Sequence, residues 1–257
     1  MLSILMALWS CEEVIEVNLK NESPKVVIES FLTNVDNPFN VRITKSQEFF
    51  NQRNFSTVNN ATVQIEYLSM KENLISKGGG YYISSKTKGI PGRAYTLKIS
   101  LAGETFSATV ELPPPVPIDT VYFKPGLFQS DSLNIFIGFH DPPVTENYYR
   151  VRLYRNRRIA VNDYFLMTDA FSNGEKIVAP VYYRYFAPGD TAIVELLNLE
   201  RCTWKYFKGL SESILQGVNS QAPGNPTSNF SGGALGIFGA WGSSSYRVIV
   251  PKTAAKK

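Results

Sequence analysis

Short runs of β-branched and aromatic residues, each broken within a few positions by Gly, Pro or Asn, recur along this chain and restrict it to a mainly β architecture. In Ala61–Leu68, Val63, Ile65 and Tyr67 alternate with Thr62, Gln64 and Glu66, so one face of a strand can be buried while the other stays wet. Runs of the same kind are Lys25–Thr33, Asn40–Lys45, Tyr81–Ser84, Ala94–Leu101 and Thr105–Leu112. Gly78-Gly79-Gly80 and Ile90-Pro91-Gly92 have turn chemistry, and Leu101-Ala102-Gly103-Glu104 predicts a hairpin. Residues 24–112 are therefore expected to form an immunoglobulin-like or transthyretin-like sandwich. The run Pro113-Pro114-Pro115-Val116-Pro117 lacks most backbone donors and favours extended geometry, which makes residues 113–118 a semi-rigid Pro-rich linker.

Strand patterns resume at Asp119–Lys124, Leu133–Phe139, Tyr148–Tyr154, Ile159–Leu166, Ile177–Tyr185 and Thr191–Leu199, then at Leu235–Trp241 and Tyr246–Val250. They define a second β-rich domain over residues 119–251. Glu200–Gly217 departs from the pattern: Trp204, Phe207, Leu210, Ile214 and Leu215 recur at helical spacing, predicting one amphipathic helix laid across a sheet. Asn219–Gly233 reads as a long loop and residues 252–257 as a disordered tail. Two domains suit a chain of 257 residues, and 44% apolar content is ample for packed cores.

The 26 basic and 22 acidic residues are scattered, without the single-sign stripe that nucleic-acid binding needs. Arg150, Arg152, Arg155, Arg157 and Arg158 are concentrated around one turn and read as a solvated hairpin tip. Met1–Ser10 is an apolar run ending in a small residue before Cys11, the shape of a secretory signal peptide. No basic residue precedes it, which points to a natural start a few residues upstream. Leu8-Trp9-Ser10-Cys11 resembles a bacterial lipobox, which implies lipidation of Cys11 and a tether over residues 11–23. Glu12 and Glu13 resemble the surface-export signal of Bacteroidota lipoproteins. Cys202 is the only other cysteine; acylation of Cys11 leaves it without a disulfide partner, and the rival arrangement is a Cys11–Cys202 bridge.

Catalytic constellations are not evident. His140 is the only histidine, no Cys-x-x-Cys, His-Glu-x-x-His or calcium-loop spacing occurs, and Gly209-Leu210-Ser211-Glu212-Ser213 lacks the second glycine of a nucleophile elbow. His140 and Asp141 are adjacent on a strand and so point to opposite faces. The Gly232–Gly236 run lacks the lysine of a phosphate loop. No catalytic residue, metal or cofactor is expected. Aromatic residues are abundant near strand ends, among them Phe49, Phe50, Phe55, Tyr148, Tyr149 and Tyr182–Phe186, and are candidates for core or for partner contact.

Further blocks are Asp141-Pro142-Pro143, Glu146-Asn147-Tyr148-Tyr149-Arg150, Asn225-Pro226-Thr227-Ser228-Asn229 and Gly232-Gly233-Ala234-Leu235-Gly236-Ile237-Phe238-Gly239. With Cys11-Glu12-Glu13 and Pro24–Asn34, their order and spacing resemble the Bacteroidota lipoprotein family known as domain of unknown function 4249. That resemblance implies an outer-membrane, cell-surface lipoprotein, often found beside a TonB-dependent receptor. The function expected is a non-enzymatic accessory subunit of such a transporter, bound to its β-barrel and serving nutrient capture. Alternatives are a free-standing surface binding protein or adhesin, or a subunit of an outer-membrane assembly or secretion complex. The motif residues Asp141, Pro142, Tyr148, Tyr149, Arg150, Asn225, Pro226, Asn229, Gly232, Gly233, Gly236, Phe238 and Gly239 read as architectural more than ligand-contacting. Thr120, Ser132 and Thr191 each follow an aspartate in a pattern resembling the O-glycosylation acceptor of the same phylum.

Overall fold

A computed structural model describes residues 23–35, 37–46, 56–125, 133–143, 145–160, 164–181, 186–218 and 225–251. The first half supplies β1 (Val26–Thr33), β2 (Asn40–Lys45), β3 (Thr62–Tyr67), β4 (Met70–Asn73), β5 (Ile75–Gly78), β6 (Tyr81–Ile83), β7 (Ala94–Leu101) and β8 (Glu104–Glu111). The second half supplies β9 (Thr120–Pro125), β10 (Leu133–His140), β11 (Tyr148–Arg155), β12 (Arg158–Ile159), β13 (Phe165–Thr168), β14 (Lys176–Val181), β15 (Thr191–Leu199), helix α1 (Arg201–Val218) and β16 (Leu235–Ile249).

Period-2 alternation gives each sandwich its core. In the first, Ile28, Leu32, Val41 and Ile43 of one sheet face Val63, Ile65, Leu97 and Ile99 of the sheet β4-β3-β7-β8. In the second, Val151, Leu153, Val194 and Leu196 face Ile135, Ile137 and Phe139 of the sheet β14-β10-β9. Turn chemistry is as the sequence predicts at Ala102 and Gly103, whose φ values of 49° and 87° fit a primed two-residue hairpin turn between β7 and β8.

The two halves are not separate beads. One sheet, ordered β12-β11-β15-β16-β1-β2-β6-β5 with β13 also on β11, runs through both sandwiches. Its pivot is β16. Leu235–Trp241 pairs parallel with β1, and Trp241–Ile249 pairs antiparallel with β15. Phe230, Ala234, Phe238 and Ala240 consequently lie in the core of the first sandwich. A boundary at residues 113–118 thus misassigns the carboxy-terminal segment, because strand pairing follows hydrogen-bond register and not sequence proximity.

Other expectations also change. The two strands expected at Leu235–Trp241 and Tyr246–Val250 are one 15-residue strand, since Gly242, Ser243 and Ser244 between them stay in register with β15. The single strand expected over Ile159–Leu166 is two short ones, β12 and β13, both paired to β11. Helix α1 covers the outer face of the shared sheet: Trp204, Tyr206, Phe207 and Leu210 pack on Tyr148, Leu197, Leu199, Ile237 and Trp241. Ile214, expected on the buried face, is 59% exposed and belongs to none of the clusters. Among the described residues no helix is long and apolar enough to cross a membrane.

Candidate binding cleft at the junction of the sandwiches

The Gly-rich block builds the pivot. A Cβ on Gly236, which has φ +97°, would sit 2.0 Å from the Ile28 carbonyl oxygen, and one on Gly242 would sit 2.5 Å from the Pro113 carbonyl oxygen. Only glycine lets β1 and the proline run approach β16 this closely. The proline run is held on the sheet by Asn198 Nδ2, which donates to the Pro114 carbonyl at 3.0 Å, and by Ser244 Oγ, which donates to Val116 O at 2.5 Å. It acts as a strap, which ties the two sandwiches together.

Along its first half β16 has none of the described strands on the β15 side, because β15 ends where α1 begins. Side chains and the helix start take the strand's place. The Asn229 amide donates to Phe238 O at 2.8 Å and accepts from Phe238 N at 3.0 Å. Ala240 N donates to Thr203 Oγ1, and Ala240 O accepts from Glu200 N, both at 2.9 Å. On the opposite edge, beyond the end of β1, Asn34 makes the same two-point contact with Ser243.

Where β1 ends and β16 changes partner, a cleft of about 400 Å³ opens between the two sandwiches. Its floor comes from β11 and β15. Arg152 donates through Nε and Nη2 to Glu195 Oε2 at 2.9 and 2.8 Å, Tyr154 OH donates to the same oxygen at 3.1 Å, and Ser243 Oγ donates to Glu195 Oε1 at 2.6 Å. Burial alone would raise the Glu195 carboxyl, but the hydrogen bonds from Arg152, Ser243 and Tyr154 outweigh it and hold the group below its usual value. Phe31 and Trp241, ring centroids 5.0 Å apart, form the aromatic side. Thr33, Asn37 and Asn40 form the rim that faces them.

The rest of the rim, Thr87 and Gly89, belongs to a loop held by one carboxylate. Glu72 on β4 accepts from Ser84 Oγ, from the backbone N–H groups of Ser85, Lys86 and Thr87, and from the hydroxyls of Ser85 and Thr87, at 2.6 to 3.1 Å. Burial opposes ionisation there, yet these donors prevail and bring the carboxyl down to about 2. Gly89 then abuts the end of β1, where a Cβ would meet Thr33 O at 2.0 Å.

The arginine-rich turn is less solvated than its composition predicts. Arg157 and Arg158 are exposed, but Arg155 pairs with Asp190 at 2.6 Å and Arg152 with Glu195. Arg150 lies between the Tyr164 and Phe207 rings, 4.3 and 4.6 Å from their centroids, with its Nε buried and without a hydrogen-bond partner. Burial draws its guanidinium pKa down. Arg150 and Arg152 point to the helix-covered face because alternate residues of β11 share one side of the sheet.

Tyr148 and Tyr149, candidates for surface contact, are buried: Tyr148 lies under Trp204 at 5.0 Å, and Tyr149 donates its hydroxyl to the buried Asp141. Burial, then the neighbouring Asp141, raises the Tyr149 hydroxyl far above its usual range. Asp141 also accepts from Gly174 N at 2.9 Å, while the adjacent His140 faces the other way and meets Asp119 at 2.7 Å. Pro142 is exposed, Pro226 packs near Gly209, and Asn225 is exposed. A Cβ on Gly232 would crowd Thr105 O, and one on Gly239 would crowd Phe31 and Thr203, whereas Gly233 has open space. Thr120 and Thr191 are half-buried on strands. Cys11, Glu12, Glu13, Phe49, Phe50, Phe55, Ser132 and Tyr182–Tyr185 lie outside the described residues, and Phe186 is core. Among the described residues Cys202 has no disulfide partner, and its thiol is pushed up to about 12 by burial and by Glu200. Among the described residues no group of three or more His, Cys, Asp or Glu has metal-binding geometry.

Arg152, Tyr154, Glu195, Trp241, Asn34 and Glu72 were not singled out as site residues from the sequence. Arg152 and Tyr154 carried a signal, as polar residues at every second position of a strand otherwise expected to bury one face; the others carried none that distinguishes them from ordinary strand and turn residues.

These features define a tandem β-sandwich protein with a shared, helix-covered sheet and a recessed cleft. The family model described as "Domain of unknown function (DUF4249)" matches residues 12–247, and the chain belongs to that family. No curated protein matches it. Similar solved structures include a two-domain fibronectin type III segment from chicken tenascin, at 12% identity over 69% of this chain and 91% of that one, TM-score 0.22. Another is the chicken interferon gamma receptor alpha chain, at 11% identity over 89% of this chain and 98% of that one, TM-score 0.24.

Proposed function

We propose that this is a non-enzymatic, lipid-anchored outer-membrane protein, exposed at the cell surface, that binds a TonB-dependent β-barrel receptor as its accessory subunit. The observation that carries this reading is the placement of the cleft. The tether expected over residues 11–23 joins the body at Pro24, just before β1, whereas the cleft is lined from Phe31 onward, near the far end of that strand. Seven residue steps from Pro24 to Phe31, at about 3.3 Å each in extended chain, separate the two, so a body anchored at Cys11 holds its cleft roughly 23 Å away from the attachment point. The family resemblance, with its frequent neighbour a TonB-dependent receptor, supports the choice of partner.

Mild-detergent affinity purification of the full-length protein from its own outer membranes, followed by a salt wash and mass spectrometry, tests the reading. A stoichiometric TonB-dependent barrel is the expected outcome; recovery of the protein alone overturns it. The cleft is complete within one chain, and this specifically favours a second reading, a free-standing surface binding protein.

A further inference from the structure

We propose that the junction cleft is a binding site for a neutral carbohydrate of one or two sugar rings. Its volume of about 400 Å³ lies at the small end of the range for small-molecule sites, which form preferentially between domains. Among the described residues that line it, Arg152 and Glu195 are the only acid and base, and they neutralise each other. A charged ligand would have to compete with that internal pair.

The polar groups still available define the ligand further. Glu195 is filled by Arg152, Tyr154 and Ser243. Arg152 commits Nε and Nη2 to it, and a guanidinium has five N–H donors, so further donors remain at the cleft floor. The exposed Asn37 amide adds both donor and acceptor capacity at the rim, and the Thr87 hydroxyl, donating to Glu72, can still accept. Beside them lie the half-buried Phe31 and Tyr154 rings. Purely apolar ligands would leave the Arg152 donors unpaired and so bind less well than a ligand that meets them. A sugar ring, with hydroxyls at its edge and C–H groups on its faces, satisfies the polar groups and covers the rings together.

The test uses the isolated full-length chain, so its outcome is separable from that of the receptor purification. Purification in lauryldimethylamine oxide avoids sugar-based detergents. Saturation-transfer NMR titrations with D-glucose, maltose, cellobiose and N,N′-diacetylchitobiose are run beside D-galacturonate and an uncharged tetra-alanine amide. At least one neutral sugar is expected to bind saturably, and Asn37→Trp, which fills the mouth from an exposed position, should weaken that binding by roughly tenfold or more. Tyr154→Ala should weaken it as well, with circular dichroism confirming that both variants fold. The proposal is overturned if none of the four sugars binds, if Asn37→Trp leaves sugar binding unchanged, or if galacturonate or the peptide amide binds more tightly than every sugar.

Discussion

Asn229 pairs with Phe238 as a neighbouring strand would: its amide donates to the Phe238 carbonyl at 2.8 Å and accepts from the Phe238 N–H at 3.0 Å. Phe238 is fully buried, so no solvent can substitute for these contacts. Asn229→Ala leaves one donor and one acceptor unpaired, each costing about 1–3 kcal/mol. The expected loss in urea unfolding is therefore roughly 2–6 kcal/mol. Asn34→Ala removes the equivalent contact with Ser243, which is only half-buried, and should cost less. Equal, small losses in both variants would count against the edge-sealing role.

Glu72 gives a pH-dependent prediction. Its folded carboxyl is brought from 4.5 to about 2, so the stability it contributes is fully present above pH 4.5 and is lost as pH falls through 2. Glu72→Gln should lower stability at neutral pH, by roughly 2 kcal/mol on the scale of hydrogen bonds to a charged group. The difference between wild type and variant should then shrink between pH 4.5 and 2. A difference that stays constant across that window would show that the loop does not depend on the charge.

Gly236→Ala combines two penalties, a left-handed φ of +97° and a Cβ placed 2.0 Å from Ile28 O. Backbone strain alone costs about 1–3 kcal/mol, and the overlap forces β16 away from β1. Thermal unfolding should show a severe loss, whereas Gly233→Ala, with a comparable φ of +81° but open space, should lose only the strain contribution.

Arg150→Met should leave stability within about 1 kcal/mol of wild type, because the desolvation cost of an ion is removed along with its ring contacts. Arg150→Ala should cost more, by opening space between Tyr164 and Phe207. Comparable losses for Met and Ala would indicate that the charge itself matters.

Local pattern carried most of the fold. Val63, Ile65 and Tyr67 marked β3, Ala102 and Gly103 marked a hairpin, and Trp204, Phe207 and Leu210 marked the helix face. Long-range pairing was not legible: nothing in Val26–Thr33 or Leu235–Trp241 states that these segments lie side by side, since both carry the same alternation as every other strand. The candidate cleft was hidden for the same reason. Arg152 and Glu195 are 43 residues apart and meet only through the register of β11 on β15. Composition made the arginines a solvated turn; register made Arg152 the floor of a cleft.

Because Val27 is the register partner of Leu235, β1, the first of the described strands to leave the ribosome, waits about 200 residues for β16 before its sheet is complete. Loop-closure entropy grows only slowly with the separation of its ends, but non-local pairings of this kind make folding slow. Until residue 241 arrives, β1 keeps one edge unpaired and the amino-terminal core lacks Phe230, Ala234, Phe238 and Ala240. This topology therefore favours folding after synthesis is complete over folding in step with it, and leaves the nascent chain dependent on whatever shields an open sheet edge in the meantime.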